Sequence, residues 1–282
     1  MSLTGGAATG TDGAASWPRW TRANVGHAMA ALAAPPRLRV VRGARARILA
    51  AGLGTVLFVA VAMALADGPL AEAAKRLPGW VHAAFAFATD FGKSGWFLWP
   101  TGILLVAIAA VASPALAPLS RLVLAAIAVR VGFLFAAIAV PSLFATIIKR
   151  LIGRARPFVG DAADPFLYLP LVWRADHASF PSGHATTAFA AAIAIGLLWP
   201  RLRWPMLVYA VIIAASRVVL DAHYLSDVIA GAFVGTVGAF IVRDWFARRH
   251  LGFVIDANGA THALPGPSWP RIKRVARSLI AP

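Results

Sequence analysis

The stretch 216-SRVVLDAHYLSD-227 brings an arginine, a histidine and two aspartates together between two long apolar runs. These runs cover residues 206–220 and 228–242. The whole chain of 282 residues is 60% hydrophobic and only 13% charged, and its mean hydropathy is +0.73. Because an unpaired charge at membrane depth is expensive, such a cluster needs ionic partners or a function. The stretch therefore predicts two membrane helices with a functional site where they meet.

Four further apolar runs precede this stretch, and each is long enough to approach or cross a bilayer. They cover residues 48–66, 96–117, 122–148 and 183–198. The predicted fold class is an all-α polytopic membrane protein, a bundle of six transmembrane helices. We expect a flexible basic cytoplasmic tail over 1–45, one membrane domain over 46–250 and a cytoplasmic C-terminal tail over 251–282. Part of 67–95 is expected to lie in the membrane interface as an amphipathic helix.

The positive charge is distributed unevenly along the chain, whose formal net charge is +16. With six spans, 18 of the 27 Lys and Arg residues fall on the side of the two termini. The positive-inside rule then places both termini in the cytoplasm. Attraction to anionic lipid explains the basic character, and no zinc-finger or ribonucleoprotein motif suggests nucleic acid as a partner. The absence of cysteine excludes disulfides, thiol catalysis and iron–sulfur clusters.

The first polar constellation is 149-KRLIGRARP-157, which follows the third apolar run. Lys149 and Arg156 are seven residues apart, so a continuing helix would place them on one face. Pro157 then ends any helix. A basic patch that merely orients the protein in the membrane is the alternative interpretation, although positive charge on the outer side runs against the rule.

The second constellation is 181-PSGH-184, at the start of the fourth run. Ser182 is a natural N-cap, and Gly183 lets a ligand approach the backbone. The free N–H groups of a helix N-terminus bind anions well. A plain helix cap with His184 at the interface would explain the same four residues.

The third constellation is the opening stretch itself. His223 and Asp227 are four residues apart and are neighbours on a helical face, where the carboxylate can hold one imidazole nitrogen protonated. Arg217 lies six residues before His223, so we expect a bend near 220–222 if both face one ligand. Alternatively, Ser226 caps the sixth helix and Asp227 complements its dipole. All three constellations lie at the non-cytoplasmic ends of helices three to six, so we expect them to share one pocket.

The three constellations match K-x6-R-P, P-S-G-H and S-R-x5-H-x3-D, the signatures of the type 2 phosphatidic acid phosphatase (PAP2) superfamily. This sequence resembles that superfamily at every signature position: Lys149, Arg156, Pro157, Pro181, Ser182, Gly183, His184, Ser216, Arg217, His223 and Asp227. The resemblance implies that His223 attacks phosphorus to form a phosphohistidine and that Asp227 orients it. It also implies that His184 protonates the leaving alkoxide and later activates water. The remaining residues, Lys149, Arg156, Ser182, Gly183 and Arg217, would hold the phosphate oxygens.

A metal site is the strongest competing chemistry, because His184, His223 and Asp227 could form a two-histidine, one-carboxylate centre. Lys149, Arg156 and Arg217 would surround a metal dication with like charge, whereas they suit a phosphate dianion. The sequence therefore predicts metal-independent hydrolysis without a cofactor. A lipid-phosphate or anion transporter stays open, as does transfer to an acceptor other than water. Six spans disfavour the soluble vanadate haloperoxidases of the same superfamily.

The expected pocket opens at the membrane face, so the expected substrate is a lipid with an exposed phosphate or pyrophosphate. Phosphatidic acid, phosphatidylglycerol phosphate, polyprenyl pyrophosphate and lipid A all fit this description. We expect a bacterial inner-membrane enzyme whose active site faces the periplasm and whose other contacts are membrane lipids. Neither the oligomeric state nor the lipid headgroup follows from the sequence.

Overall fold

The computed structural model describes residues 19–36, 44–160 and 162–280. The helices are α1 Arg19–Ala33, α2 Ala44–Leu65, α3 Asp67–Lys75, α4 Gly79–Asp90, α5 Gly95–Val111, α6 Pro118–Ile152, α7 Gly183–Leu198, α8 Arg203–Val219, α9 Leu225–Ala247 and α10 Trp269–Ile280. A single 3₁₀ turn, Pro200–Leu202, precedes α8. Strands β1 Phe253–Ile255 and β2 Thr261–Ala263 form an antiparallel hairpin with Val254 opposite His262. Over the part of the chain that the structure describes, the protein is therefore predominantly helical, as predicted, with one small hairpin.

Within the described residues, four helical segments are long and apolar enough to cross a membrane. They are Gly79–Val111, Pro118–Ile152, Pro200–Val219 and Leu225–Ala247. A fifth is added if α2 and α3, which meet at a bend of 56°, form one span. Helix α7 is apolar but has only 16 residues. An integral membrane protein is confirmed, whereas the number of six spans stays a prediction.

The central helix of the bundle is α7, because it packs against α6, α8 and α9. Six of its alanines are buried: Ala185, Ala188, Ala190, Ala191, Ala192 and Ala194. Small residues let helix backbones approach closely in a membrane protein. A Cβ added at Gly235 of α9 would lie 2.3 Å from the carbonyl oxygen of Thr186, and one at Gly231 would lie 2.5 Å from that of Ser182. Glycine at these two positions therefore holds α9 directly against α7.

The predicted N-terminal tail differs from the structure, because residues 19–33 form helix α1. The Trp20 indole donates a hydrogen bond to the carbonyl oxygen of Ala110, and the Asn24 amide donates to those of Ala109 and Ala112. These side chains satisfy carbonyl groups that the end of α5 leaves without helical partners. Residues 1–18 and 37–43 lie outside the described residues, so the expected flexibility of the tail is not addressed there.

The C-terminal segment also packs against the bundle. Val275 of α10 is buried in a cluster with Ile108, Val123 and Leu124 of α5 and α6. Arg130 donates to the carbonyl oxygens of Leu264 and Pro265 and so binds the loop between β2 and α10. Helices α1 and α10 therefore lie at the same end of the bundle, where α5 ends and α6 begins. The other end of α6 lies about 50 Å away by helical rise, and the polar constellations are found there.

Candidate active site

The turn after α6 places Lys149 and Arg156. Gly153 ends the helix at a φ of 64°, and a Cβ there would lie 1.8 Å from the carbonyl oxygen of Leu169, so only glycine fits. The chain then runs beside 167–169, since the Ala155 N–H donates to Leu167 and the Leu169 N–H donates to Gly153. The helix ends at Ile152, four residues before Arg156, so Lys149 and Arg156 do not share a helical face as predicted. Arg156 reaches the site from a loop instead.

The start of α7 is built as predicted. The Ser182 hydroxyl accepts the Ala185 N–H at 3.5 Å and caps the helix. The Ser182 N–H donates to the carbonyl oxygen of Asp227 at 3.0 Å, which ties α7 to the first turn of α9. A Cβ added at Gly183 would lie 3.2 Å from Lys149 Nζ. The lysine ammonium group therefore sits beside a helix N-terminus that is suited to anions.

The segment between α8 and α9 bends as expected. Helix α8 ends at Val219, and Asp221 has a φ of 50°. The backbone N–H groups of Ala222 and His223 both donate to the carbonyl oxygen of Arg217. Arg217 itself donates to the Thr89 hydroxyl at 2.6 Å. This turn brings the arginine and the histidine to one side of the bundle end.

His223 is buried and is linked to Asp227 through a serine. The Ser179 hydroxyl donates to Asp227 Oδ2 at 2.5 Å and lies 3.4 Å from His223 Nδ1. The direct distance from Nδ1 to that carboxylate oxygen is 3.7 Å, which is longer than a hydrogen bond. The single hydroxyl proton of Ser179 goes to the carboxylate, so the serine oxygen can only accept from Nδ1–H. This tautomer leaves Nε2 of His223 unprotonated.

Two buried residues that the sequence reasoning did not select, Arg154 and Asp67, complete the environment of Asp227. Arg154 donates to Asp227 Oδ1 at 2.5 Å and to Asp67 Oδ2 at 2.8 Å, and all three side chains are fully buried. Its guanidinium group also donates to the Ser226 hydroxyl and lies 4.5 Å from the centre of the Tyr224 ring. Ser226 donates to Asp67 through both its N–H and its hydroxyl. Ser226 therefore does not cap α9, whose N-cap is Tyr224.

A sequence signal existed for Asp67, because it is a carboxylate placed directly after an apolar run, where unpaired charge is costly. Arg154 and Ser179 carry no such signal. Arg154 was one of four basic residues within 149–156, and the spacing does not show which of them turns inward. Ser179 lies in a polar loop outside any predicted helix.

The electrostatics of the site suit a bound anion. Burial lowers the pKa of His223 to about 4, Asp227 opposes this shift, and the charges of Arg217 and Lys149 add to it. Burial also lowers the pKa of Arg156. Among the described residues, the buried Nε groups of Arg156 and Arg217 have no hydrogen-bond partner. These donors and the neutral imidazole lie together at one end of the bundle.

His184 joins this cluster from the first turn of α7. Arg217, His223 and Lys149 lie close enough to the His184 ring to interact with it electrostatically. A Cβ added at Gly92 would lie 3.0 Å from His184 Cδ2, so the segment after α4 covers the ring. The structure therefore brings together all eight residues that the sequence singled out, namely Lys149, Arg156, Ser182, Gly183, His184, Arg217, His223 and Asp227.

Comparison with known proteins agrees with this arrangement. A family profile described as the PAP2 superfamily matches residues 130–251, which contain all three constellations. A lipid A 1-phosphatase from Rhizobium johnstonii is 33% identical over 225 residues, 79% of this chain and 87% of that protein. The chain belongs to the PAP2 superfamily. The predicted resemblance is thereby confirmed, and so is the prediction that the chain is a phosphoric monoester hydrolase of the PAP2 type.

Other members of the PAP2 superfamily are similar over shorter regions or in fold alone. A decaprenylphosphoryl-5-phosphoribose phosphatase from Mycobacterium tuberculosis is 39% identical over 102 residues, 34% of this chain and 51% of that protein. The crystal structure of a transmembrane PAP2-type phosphatidylglycerolphosphate phosphatase from Bacillus subtilis superposes with a TM-score of 0.51 at 21% identity. That similarity covers 70% of this chain and 94% of the other and supports the fold.

Proposed function

We propose that this PAP2 protein removes the phosphate group from a lipid phosphate, or the terminal phosphate from a lipid pyrophosphate, through a phosphohistidine intermediate. One observation carries the proposal. His223 is a buried imidazole whose Nδ1 proton is held by Ser179 and whose Nε2 is free, and it lies among cations that suit a phosphate dianion. A nucleophile oriented in this way is what covalent phosphoryl transfer requires.

In the first step, Nε2 of His223 attacks phosphorus, and the bond from phosphorus to the lipid oxygen breaks. The bonding pair leaves with that oxygen, which takes a proton from His184. Lys149, Arg156 and Arg217 stabilise the charge that develops on the phosphoryl oxygens, together with the N–H groups at the start of α7. Asp227 stabilises the positive charge that the His223 ring acquires.

In the second step, water attacks phosphorus and the bond to Nε2 breaks. His184, now neutral, takes a proton from that water, which reverses its role in the first step. Inorganic phosphate leaves and His223 returns to its starting tautomer. An alcohol in place of water would give phosphotransfer, so the identity of the acceptor decides between hydrolase and transferase.

The proposed reaction needs neither a metal ion nor a cofactor. Three cationic side chains already supply the positive charge that metal ions provide in other phosphoryl transfer enzymes. Turnover should therefore be unchanged in excess chelator.

Lipid A is the substrate that we favour among the lipids that the sequence allowed. Two lipid A 1-phosphatases from Rhizobium species are each 33% identical to this chain, with 87% and 90% of those proteins covered. The distribution of Lys and Arg favours cytoplasmic termini, so the proposal places the site at the periplasmic face and both termini in the cytoplasm. The site and the two terminal segments lie at opposite ends of the bundle, which supports this orientation.

The test is phosphate release from lipid A, phosphatidic acid, phosphatidylglycerol phosphate and a polyprenyl pyrophosphate by purified protein with and without EDTA. We expect release from lipid A that EDTA does not reduce and that vanadate inhibits, since vanadate imitates five-coordinate phosphorus. Release from none of these lipids by folded protein would contradict the proposal. Activity that EDTA abolishes and only added metal restores would contradict the metal-independent mechanism.

A further inference from the structure

An apolar groove of about 410 Å³ lies between α2, α6 and α9, next to the proposed phosphate site. Its exposed lining consists of apolar atoms alone. Thr55 carries the one hydroxyl among the lining side chains, and this hydroxyl donates to the carbonyl oxygen of Ala51 within its own helix. The volume falls in the range of about 300–1,000 Å³ that is typical of ligand pockets. The groove can thus hold hydrocarbon but offers nothing to a polar ligand.

Three walls of the groove continue directly into the phosphate site. Ile148 precedes Lys149 on α6, and Pro181 precedes Ser182 at the start of α7. On α9, Ala230 and Val234 lie three and seven residues after Asp227, so all three occupy one face of the helix. A molecule with its phosphate among the site residues therefore has the groove at its side.

The direction of the groove follows from α2. The lining residues of this helix extend from Gly52 to Met63, about 16 Å by helical rise. Met63 is at the site end, because α2 ends two residues later and Asp67 is bonded to Arg154 beneath the site. At the far end, a Cβ added at Gly52 would touch the Phe233 ring at 3.8 Å. The groove therefore begins at the phosphate site and runs along α2 towards Gly52, where α2 lies against Phe233 of α9.

We infer that this groove binds one acyl chain of the lipid whose phosphate is removed. The inference rests on the proposed function and adds a subsite to it. A chain that moves from the bilayer into the groove exchanges one hydrocarbon environment for another, so it gains little hydrophobic free energy. The groove therefore selects substrates by chain shape and length and keeps the phosphate in register with His223. Bulk membrane lipid is the competing occupant.

Two substitutions fill the groove from opposite walls. Ala60→Phe on α2 and Val234→Phe on α9 each place a ring in it, and neither position is among the catalytic or phosphate-binding residues. Ala50→Phe is the matched control, because Ala50 is an exposed alanine of the same helix, about 200° around from Gly52. The probes are glucosamine 1-phosphates that carry either two 14-carbon or two 6-carbon acyl chains, so the reacting phosphate is identical.

For both groove variants we expect kcat/KM for the 14-carbon probe to fall about tenfold or more relative to the 6-carbon probe. The Ala50→Phe protein should keep the wild-type ratio. Retained turnover of the 6-carbon probe shows that a variant is folded and that the phosphate site works. An unchanged ratio in the groove variants, or an equal loss on both probes in both of them, overturns the acyl subsite and leaves the proposed function standing. Folded wild-type protein that releases phosphate from neither probe nor any of the four lipids named above overturns the proposed function instead.

Discussion

Arg154 and Asp227 form a fully buried ion pair in which Nη1 donates to Oδ1 at 2.5 Å. The same guanidinium group holds Asp67, which reaches the site from the segment after α2. Asp227 thus has one oxygen fixed by Arg154, while the other accepts from Ser179 and from the Tyr224 N–H. The carboxylate cannot rotate, and the serine that it binds orients His223. Arg154 therefore acts on the proposed nucleophile without touching the substrate.

Replacement of Arg154 by alanine leaves two buried carboxylates without their cation, and loss of one partner from a buried pair destabilises by about 3–5 kcal/mol. We therefore expect Arg154→Ala to yield little folded protein. Arg154→Lys keeps the charge but cannot donate to Asp227 and Asp67 with a planar fork. It should fold and lose about tenfold or more in kcat with KM nearly unchanged. Arg174→Lys is the control, because Arg174 belongs to an exposed ion pair. If the Arg154→Lys protein keeps the wild-type kcat, Arg154 does not position the nucleophile.

The two histidines have distinct expected phenotypes. His223→Ala removes the proposed nucleophile, so no acid-labile phosphoprotein should form with radiolabelled lipid phosphate. His184→Ala removes the proton donor, a contribution of about 10²–10⁴-fold to rate. That loss also slows attack by water, so a substrate with a good leaving group should trap the phosphoenzyme in this variant. The assignment fails if His223→Ala protein still becomes phosphorylated. A transporter, the alternative that the sequence left open, would keep much of its flux in His223→Ala.

Contact between α7 and α9 depends on glycine. A Cβ at Gly231 meets the carbonyl oxygen of Ser182 at 2.5 Å, so Gly231→Ala must push the start of α7 away from Asp227. We expect a lower Tm and a loss of activity that exceeds the loss of folded protein. Gly54→Ala on α2 is the control, because no atom lies within 4 Å of its added Cβ and alanine favours a helix by up to about 1 kcal/mol. Equal behaviour of the two variants would show that the close approach is not required.

Acid pH should destabilise the folded protein through protonation of His223. Its pKa in the folded protein is about 4, below the value of 6.5 for a free histidine. The unfolded chain therefore binds a proton between these values that the folded chain does not bind. The stabilising contribution of neutral His223 is fully present above pH 6.5 and declines as the pH falls towards 4. Tm measured from pH 7.5 to 4.5 should fall less steeply for His223→Gln than for the wild type, and parallel curves would contradict the assignment.

The orientation in the membrane can be tested cleanly, because the chain has no cysteine. Ala175→Cys lies on the exposed loop before the site, and Asn258→Cys lies on the exposed turn between β1 and β2. A maleimide that does not cross membranes should label Ala175→Cys in intact spheroplasts and label Asn258→Cys only after lysis. The reverse pattern would place the site in the cytoplasm.

The sequence by itself determined the class of fold and the residues that we propose for the chemistry. Apolar runs reveal membrane helices because burial in lipid leaves no other way to satisfy the backbone. The spacing within each signature singled out Lys149, His184 and His223, because each of them occupies a locally determined position such as a helix start or the bend after Arg217. Short-range geometry of this kind is encoded within a few neighbouring residues.

Only the tertiary structure decided how those groups are held. Asp67 reaches Ser226 across 159 residues, and Ser179 stands between His223 and the carboxylate that sequence spacing placed directly beside it. Which basic residue of 149–156 turns inward was decided by the left-handed turn at Gly153, which packs against Leu169. The groove beside the site forms where α2 packs against α9 next to the end of α6, and these helices lie far apart in the sequence. Such choices depend on which surfaces meet after folding, since a buried charge takes whichever partner the packing brings within reach.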